Sequence, residues 1–331
     1  MVIAIALLAT GCWEIGSINY PAPSLPPPAI DGDFDGDGRA DLISIDEEGV
    51  WWKVGQAEPF YSAPSPPSPD IYVSGDYDGD GRWEPGYLAD ADTWVTAGAA
   101  GTISFPAPGD IADDHLIPVP ADYDGDRRTD PAWYRSTDAT WFIRGMAPIQ
   151  FGTGANDMPP IPADGHDIPV PADYDGDRIA DIATYSPLTA TWNIRGQGSH
   201  QFGEPGALPT PLDFDGQPGV ELASFALATN TQFVEGRDPV QVAVPWETLA
   251  PVPARYLDTP GAQWGTVNID TGVWEIEGAG VVANIGSRQP AVMPASRRFA
   301  FVDMRFINEA WHACLEDPGG AWGHDYCTMF P

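Results

Sequence analysis

The nine residues DYDGDRRTD, from Asp122 to Asp130, recur along the chain with small changes. They read DFDGDGRAD from Asp33, DYDGDGRWE from Asp76 and DYDGDRIAD from Asp173, with a weaker copy, DFDGQPGVE, from Asp213. Two further copies have lost the acids and keep the context. Val252-Pro253-Ala254-Arg255-Tyr256 echoes Val170-Pro171-Ala172-Asp173-Tyr174, and Met293-Pro294-Ala295-Ser296 repeats it again. The acidic copies start 40 to 51 residues apart. A fixed period of this length marks a chain built from one supersecondary unit stacked on itself.

The rest of the unit repeats too. A short apolar strand follows the loop, as in residues 181–185. After a turn comes a strand led by an aromatic residue: Trp52, Trp94, Trp141, Trp192, Phe233, Trp274 and Trp311. TWFIRG (140–145) and TWNIRG (191–196) are nearly one strand written twice, and a fourth strand ends in Phe151-Gly152 and Phe202-Gly203. Gly and Pro number 36 each, which punctuates the chain too often for long helices, and no helical periodicity occurs. The pattern predicts an all-β, seven-bladed β-propeller of four-stranded blades over residues 30–331. Either Trp13-Glu14-Ile15 lends a strand to the last blade, or residues 304–330 complete it, the second being preferred. The units resemble FG-GAP or VCBS repeats, the blades of integrin-α-type propellers, from about residue 30 onward. That resemblance implies calcium in the aspartate loops.

The loop chemistry agrees. Calcium takes six to eight oxygen ligands, and alternate acids on a tight turn aim carboxylates at one point. The candidate ligands are Asp33, Asp35, Asp37, the Arg39 carbonyl and Asp41; then Asp76, Asp78, Asp80, Arg82 and Glu84. The next sets are Asp122, Asp124, Asp126, Arg128 and Asp130, and Asp173, Asp175, Asp177, Ile179 and Asp181. An EF-hand would need an acid at the twelfth position, where Ser44, Tyr87, Trp133 and Thr184 stand. Carboxylates at ~4–5 Å repel by about 1 to 4 kcal/mol per pair without a cation. These four loops are therefore expected to carry about four calcium ions. The fifth, with Asp213, Asp215 and Glu221, is expected to be weak or lost, because Gln217 replaces an acid and Pro218 fixes φ. Arg255 and Ser296 leave the last two loops metal-free.

Residues 2–10 are apolar and too short to span a bilayer. Thr10-Gly11-Cys12 resembles a lipoprotein processing site, giving a signal segment over 1–11, lipidation at Cys12 and a Pro-rich tether over 12–29; an ordinary export signal or an apolar strand are the alternatives. Cys314 and Cys327 then remain, as a disulfide or as two free thiols. The net charge of -33, from 48 acids against 15 bases, excludes a nucleic-acid partner. The five histidines form no metal-ligand pattern, no GxSxG elbow occurs, and residues 278–283 read as a blade turn rather than a dinucleotide site. No catalytic or cofactor-binding residue is assigned, and the chain is read as a non-enzyme. The leading expectation is an exported, monomeric adhesion scaffold for a protein or polymer, touching membrane only through its lipid. A lectin is the second reading, with Trp133, Trp141 and Trp192 as stacking candidates if exposed, and a polysaccharide-acting enzyme the third.

Overall fold

The computed structural model describes residues 32–45, 49–63, 71–109, 116–154, 167–226, 229–242, 249–268 and 273–284. All regular structure there is strand, apart from one helical-turn residue, Thr229. The first sheet holds β1 (Ile43–Ile45), β2 (Val50–Lys53) and β3 (Tyr61–Ser62). The second holds β4 (Gly86–Asp90), β5 (Thr93–Thr96) and β6 (Thr102–Ser104). The third holds β7 (Leu116–Pro118), β8 (Ala132–Arg135), β9 (Thr140–Ile143) and β10 (Ile149–Gln150). The fourth holds β11 (Ile168–Pro169), β12 (Ala183–Ser186), β13 (Thr191–Ile194) and β14 (Gly198–Gln201). The fifth runs through β15 (Leu208–Pro209), β16 (Ala223–Ala226), β17 (Thr231–Val234) and β18 (Val240–Gln241). The sixth runs through β19 (Leu249–Pro251), β20 (Gly265–Asn268), β21 (Val273–Ile276) and β22 (Gly280–Asn284).

Each sheet is an antiparallel meander in chain order. The second gains its innermost strand as a bridge, Tyr72 to Tyr87, backed by Val73 N–H donating to Gly86 C=O. This gives five four-stranded blades and a three-stranded first sheet among the described residues, in place of the seven blades expected. The seventh unit's landmarks, Met293 to Ser296 and Trp311, lie outside those residues, as do both expected closing segments.

Backbone bonds between the aspartate loops explain the smaller number. The eighth residue of each loop donates its N–H to the first residue of the loop before it. Trp83 bonds Asp33, Thr129 bonds Asp76, Ala180 bonds Asp122, Val220 bonds Asp173 and Ala262 bonds Asp213, at 2.6–2.8 Å. The series ends where it began, with Ala40 N–H on the Arg255 carbonyl at 2.7 Å. The sixth loop thus abuts the first, and among the described residues the six loops form an unbroken circuit.

Strands β5, β9, β13 and β17 alternate half-buried and buried residues, as a pleated strand between two neighbouring sheets requires, and β2 and β21 bury the same second residue. Trp94, Trp141, Trp192 and Trp274 fill the buried position. In the first and fifth sheets the register puts Trp51 and Gln232 there, correcting the assignment of Trp52 and Phe233. The Phe-Gly endings also acquire a reason. Trp141 Nε1 donates to the Phe151 carbonyl at 2.9 Å and Trp192 Nε1 to that of Phe202 at 3.1 Å. Gly152 then turns at φ 115°, and a Cβ there would meet Thr184 of the next blade at 2.9 Å.

Candidate functional site: the ring of carboxylate loops

Loops one to six begin at Asp33, Asp76, Asp122, Asp173, Asp213 and Arg255, and they stack around one end of the ring. Their conformation is dictated by the first aspartate. Its Oδ1 accepts the N–H of the fourth residue, a glycine, at 2.6–2.7 Å in loops one to five. Its Oδ2 accepts the N–H of the sixth, at 2.8 Å in loops one, three and four and 3.0 Å in loop two. The sixth residue is left-handed: Gly38 (φ 85°), Gly81 (φ 91°), Arg127 (φ 69°) and Arg178 (φ 73°). In loop five Pro218 cannot take that conformation, and the positive φ moves one place on, to Gly219 (φ 103°). The acid at the ninth position accepts the second residue's N–H, as Glu84 does from Tyr77 at 2.7 Å. The aromatic at that second position is a wedge: Tyr77, Tyr123 and Tyr174 each tie their hydroxyl to the valine carbonyl four residues earlier, at 2.5–2.8 Å.

These bonds converge the carboxylates. In loop two, Asp76, Asp78, Asp80 and Glu84 bring ligand oxygens within 4.8 Å of one another, and in loop one Asp33, Asp35 and Asp37 do so. Loops three and four gather Asp122, Asp124 and Asp130, and Asp173, Asp175 and Asp181, leaving Asp126 and Asp177 outside the group. Loop five gathers Asp213, Asp215 and Glu221 in the same way, so shifting the left-handed residue preserves the cluster that Pro218 was expected to spoil. Each cluster could hold a metal ion. The packing of these loops shows in the ionisation. Burial, reinforced by neighbouring carboxylates, pushes Glu84 up to about 8 and Asp130 up to about 6. Burial likewise raises Asp76, Asp122, Asp181 and Asp213.

Arg39, Arg82, Arg128 and Ile179 occupy the seventh position. Their N–H groups donate to the fifth-position aspartates at 2.8–3.0 Å. Loop six shows what the seventh-position carbonyl faces. There Gln263 replaces the ninth-position acid. Its Oε1 accepts the Tyr256 N–H at 2.9 Å as an acid would, while its Nε2 donates to Thr259 Oγ1 at 2.9 Å and to the Gly261 carbonyl at 2.8 Å. Fifth-position oxygen and seventh-position carbonyl thus converge on an N–H donor, where the acidic loops have an oxygen-only donor set suited to a hard cation. The sequence displayed Arg255 and the loss of acids, but the role of Gln263 emerges only with the fold.

A second polar feature lies between the third and fourth blades. A groove of about 440 Å³ is lined by Gly152, Thr153, Asp167, Asn193 and Ser199 among others. Asp167 is 2% exposed; its Oδ2 accepts from Thr153 N–H at 2.7 Å and Thr184 Oγ1 at 3.1 Å, and its Oδ1 has no partner. Asp167 stands outside the repeat phrase, so no motif pointed to it. Trp133, Trp141 and Trp192, the stacking candidates, are fully buried and belong to the core. Cys12, Cys314, Cys327, His115, His166, His312 and His324 lie outside the described residues.

No family model matches the chain, and no curated protein sequence does. Among solved structures it is similar to an Agrocybe aegerita lectin, described by its recognition of non-reducing terminal N-acetylglucosamine. The TM-score is 0.50 at 11% identity, covering 72% of each chain. It is also similar to a streptogramin B lyase (TM-score 0.40, 12% identity, 77% of this chain and 84% of that one). A virginiamycin B lyase from Staphylococcus aureus follows (TM-score 0.40, 10% identity, 74% and 86%). At such identities the likeness shows the β-propeller fold alone. The reading as a non-enzyme is corrected on this finding: lyases stand among the similar structures, so the fold supplies no ground for setting catalysis aside.

Proposed function

We propose that the chain is a calcium-stabilised β-propeller of the FG-GAP/VCBS type, exported and anchored through a lipid on Cys12, whose ring presents a binding surface to a protein or polymer. The observation that carries this reading is the repeated convergence of carboxylates at one end of the ring. Calcium is the ion that the donor set fits: oxygen-only ligands, a carbonyl beside them and an irregular arrangement that magnesium's strict octahedron would not accept. The ions brace the loops through which neighbouring sheets are bonded, so their first role is structural. Elemental analysis of the purified chain should find calcium, and EDTA should lower its melting temperature steeply. A metal-free chain indifferent to EDTA would defeat the reading.

A saccharide is the second reading for the ligand, favoured by the groove at Asp167. A buried carboxylate oxygen without a partner is costly unless a donor reaches it, and a sugar hydroxyl supplies one. The lectin that shares the fold is in keeping with this. A glycan array run in calcium buffer tests it, with Asp167→Asn expected to abolish any hit; an array without hits would dispose of it.

A further inference from the structure

Loop one differs from the other acidic loops in what already lies among its carboxylates. Lys53, at the end of β2, reaches the Asp35 and Asp41 carboxylates with its ammonium group. Arg39 closes on Asp37 at 2.7 Å, and the fourth and sixth N–H groups satisfy Asp33 at 2.6 and 2.8 Å. Every acid of the loop is thereby matched by a group of the protein itself. Register identifies what stands at the place of Lys53 in the other sheets: Thr96, Ile143, Ile194, Val234 and Ile276, none of them charged. Lys53 is moreover the single lysine in 331 residues.

We infer that Lys53 is a tethered cation that takes the place of the metal ion in loop one, so that divalent ions bind the acidic loops from the second onward. The inference rests on the reading of those loops as cation sites and narrows it. Its physical basis is local concentration: a side chain anchored on the neighbouring strand competes for the carboxylates without paying the entropy of association. A divalent ion entering loop one would have to expel an ammonium group that is 19% exposed and leave it beside a second positive charge. Location gives the device a purpose. Loop one lies against loop six across the closing bond from Ala40 to Arg255. In loop six the Gln263 amide already holds the oxygens together. Both loops at the closing seam are therefore held by side chains, while the loops around the rest of the ring are left to metal.

Calorimetric titration of the EDTA-stripped full chain with calcium chloride decides the matter, comparing the native protein with Lys53→Thr and Lys53→Arg. Lys53→Thr should bind one more equivalent of calcium per chain than the native protein, and should melt lower in EDTA but recover in calcium. Lys53→Arg, which keeps a cation, should keep the native count. As the chain has a single lysine, acetylation read by mass spectrometry reports on it directly: labelling of native Lys53 should be slow and indifferent to calcium. That measurement still decides if Lys53→Thr fails to fold. An unchanged count in Lys53→Thr, or labelling of the native lysine that rises with calcium, would overturn the inference and leave the other loops as metal sites. No calcium bound by any form would remove the reading beneath it.

Discussion

Glu84 shows how one residue couples the loops to pH. Its carboxyl, 7% exposed among Asp76, Asp78 and Asp80, is pushed up to about 8 from an ordinary 4.5, chiefly by burial. A carboxyl whose folded value is raised binds its proton more tightly in the native state. It therefore destabilises the metal-free fold as pH climbs from the ordinary value through the raised one. Melting in EDTA should accordingly fall between about pH 5 and 8, by an amount on the order of a few kcal/mol from this group. Calcium needs the ionised carboxylates, so the gap between calcium and EDTA melts should widen over the same window. Glu84→Gln should flatten the EDTA profile and cost one equivalent of calcium; an unchanged slope would show that another group governs it. Asp76→Asn removes the acid that organises loop two and should also lose one ion.

Strain is legible at the level of the loop. Arg127 and Arg178 hold φ of 69° and 73° at the position that loops one and two give to glycine. The left-handed conformation costs a non-glycine residue about 1–2 kcal/mol. Part of that is returned through the greater entropy of glycine in the unfolded chain. Arg178→Gly should therefore stabilise the protein by about 0.5–1 kcal/mol in denaturant melts, and a loss of stability would mean that the arginine makes a compensating contact. The third strand makes the complementary case. Trp192→Ala should cost about 3–5 kcal/mol, since it removes a fully buried ring and frees the Phe202 carbonyl that the indole caps. The loop pattern was readable because each ligand position is a residue identity at fixed spacing. Lys53 and Asp167 were not, because each acts across a register or a blade boundary that only the folded chain brings together, whereas Gln263 acts inside its own loop and was hidden because that loop has lost the acids of the phrase. Trp51 and Trp52 show the same limit, since adjacent tryptophans satisfy one pattern and only pairing with β1 selects the buried one.

For the whole molecule, the repeat period predicted sheets in series, but the seven blades counted from it exceed what the described residues form. A repeat phrase counts units along the chain, whereas closure depends on the small rotation between neighbours, which no single residue encodes. The bond from Ala40 to Arg255 answers the question geometrically, and it makes a claim about energetics. In a closed ring every seam is equivalent, so breaking the closing seam should cost what breaking an internal one costs. Proline removes the donor at one chosen seam and leaves the acceptor carbonyl without it. Ala40→Pro should thus destabilise by about 1–3 kcal/mol, comparably to Ala180→Pro, which breaks the bond to Asp122 inside the ring. An arc open at that point would behave otherwise: Ala40→Pro would be nearly silent while Ala180→Pro kept its cost. If Lys53 and Gln263 hold the closing seam without metal, the two variants should also part in their response to EDTA. Chelation should add to the damage of Ala180→Pro, whose seam joins two carboxylate loops. It should leave the cost of Ala40→Pro unchanged, because the side chains on either side of that bond remain when the ions have gone.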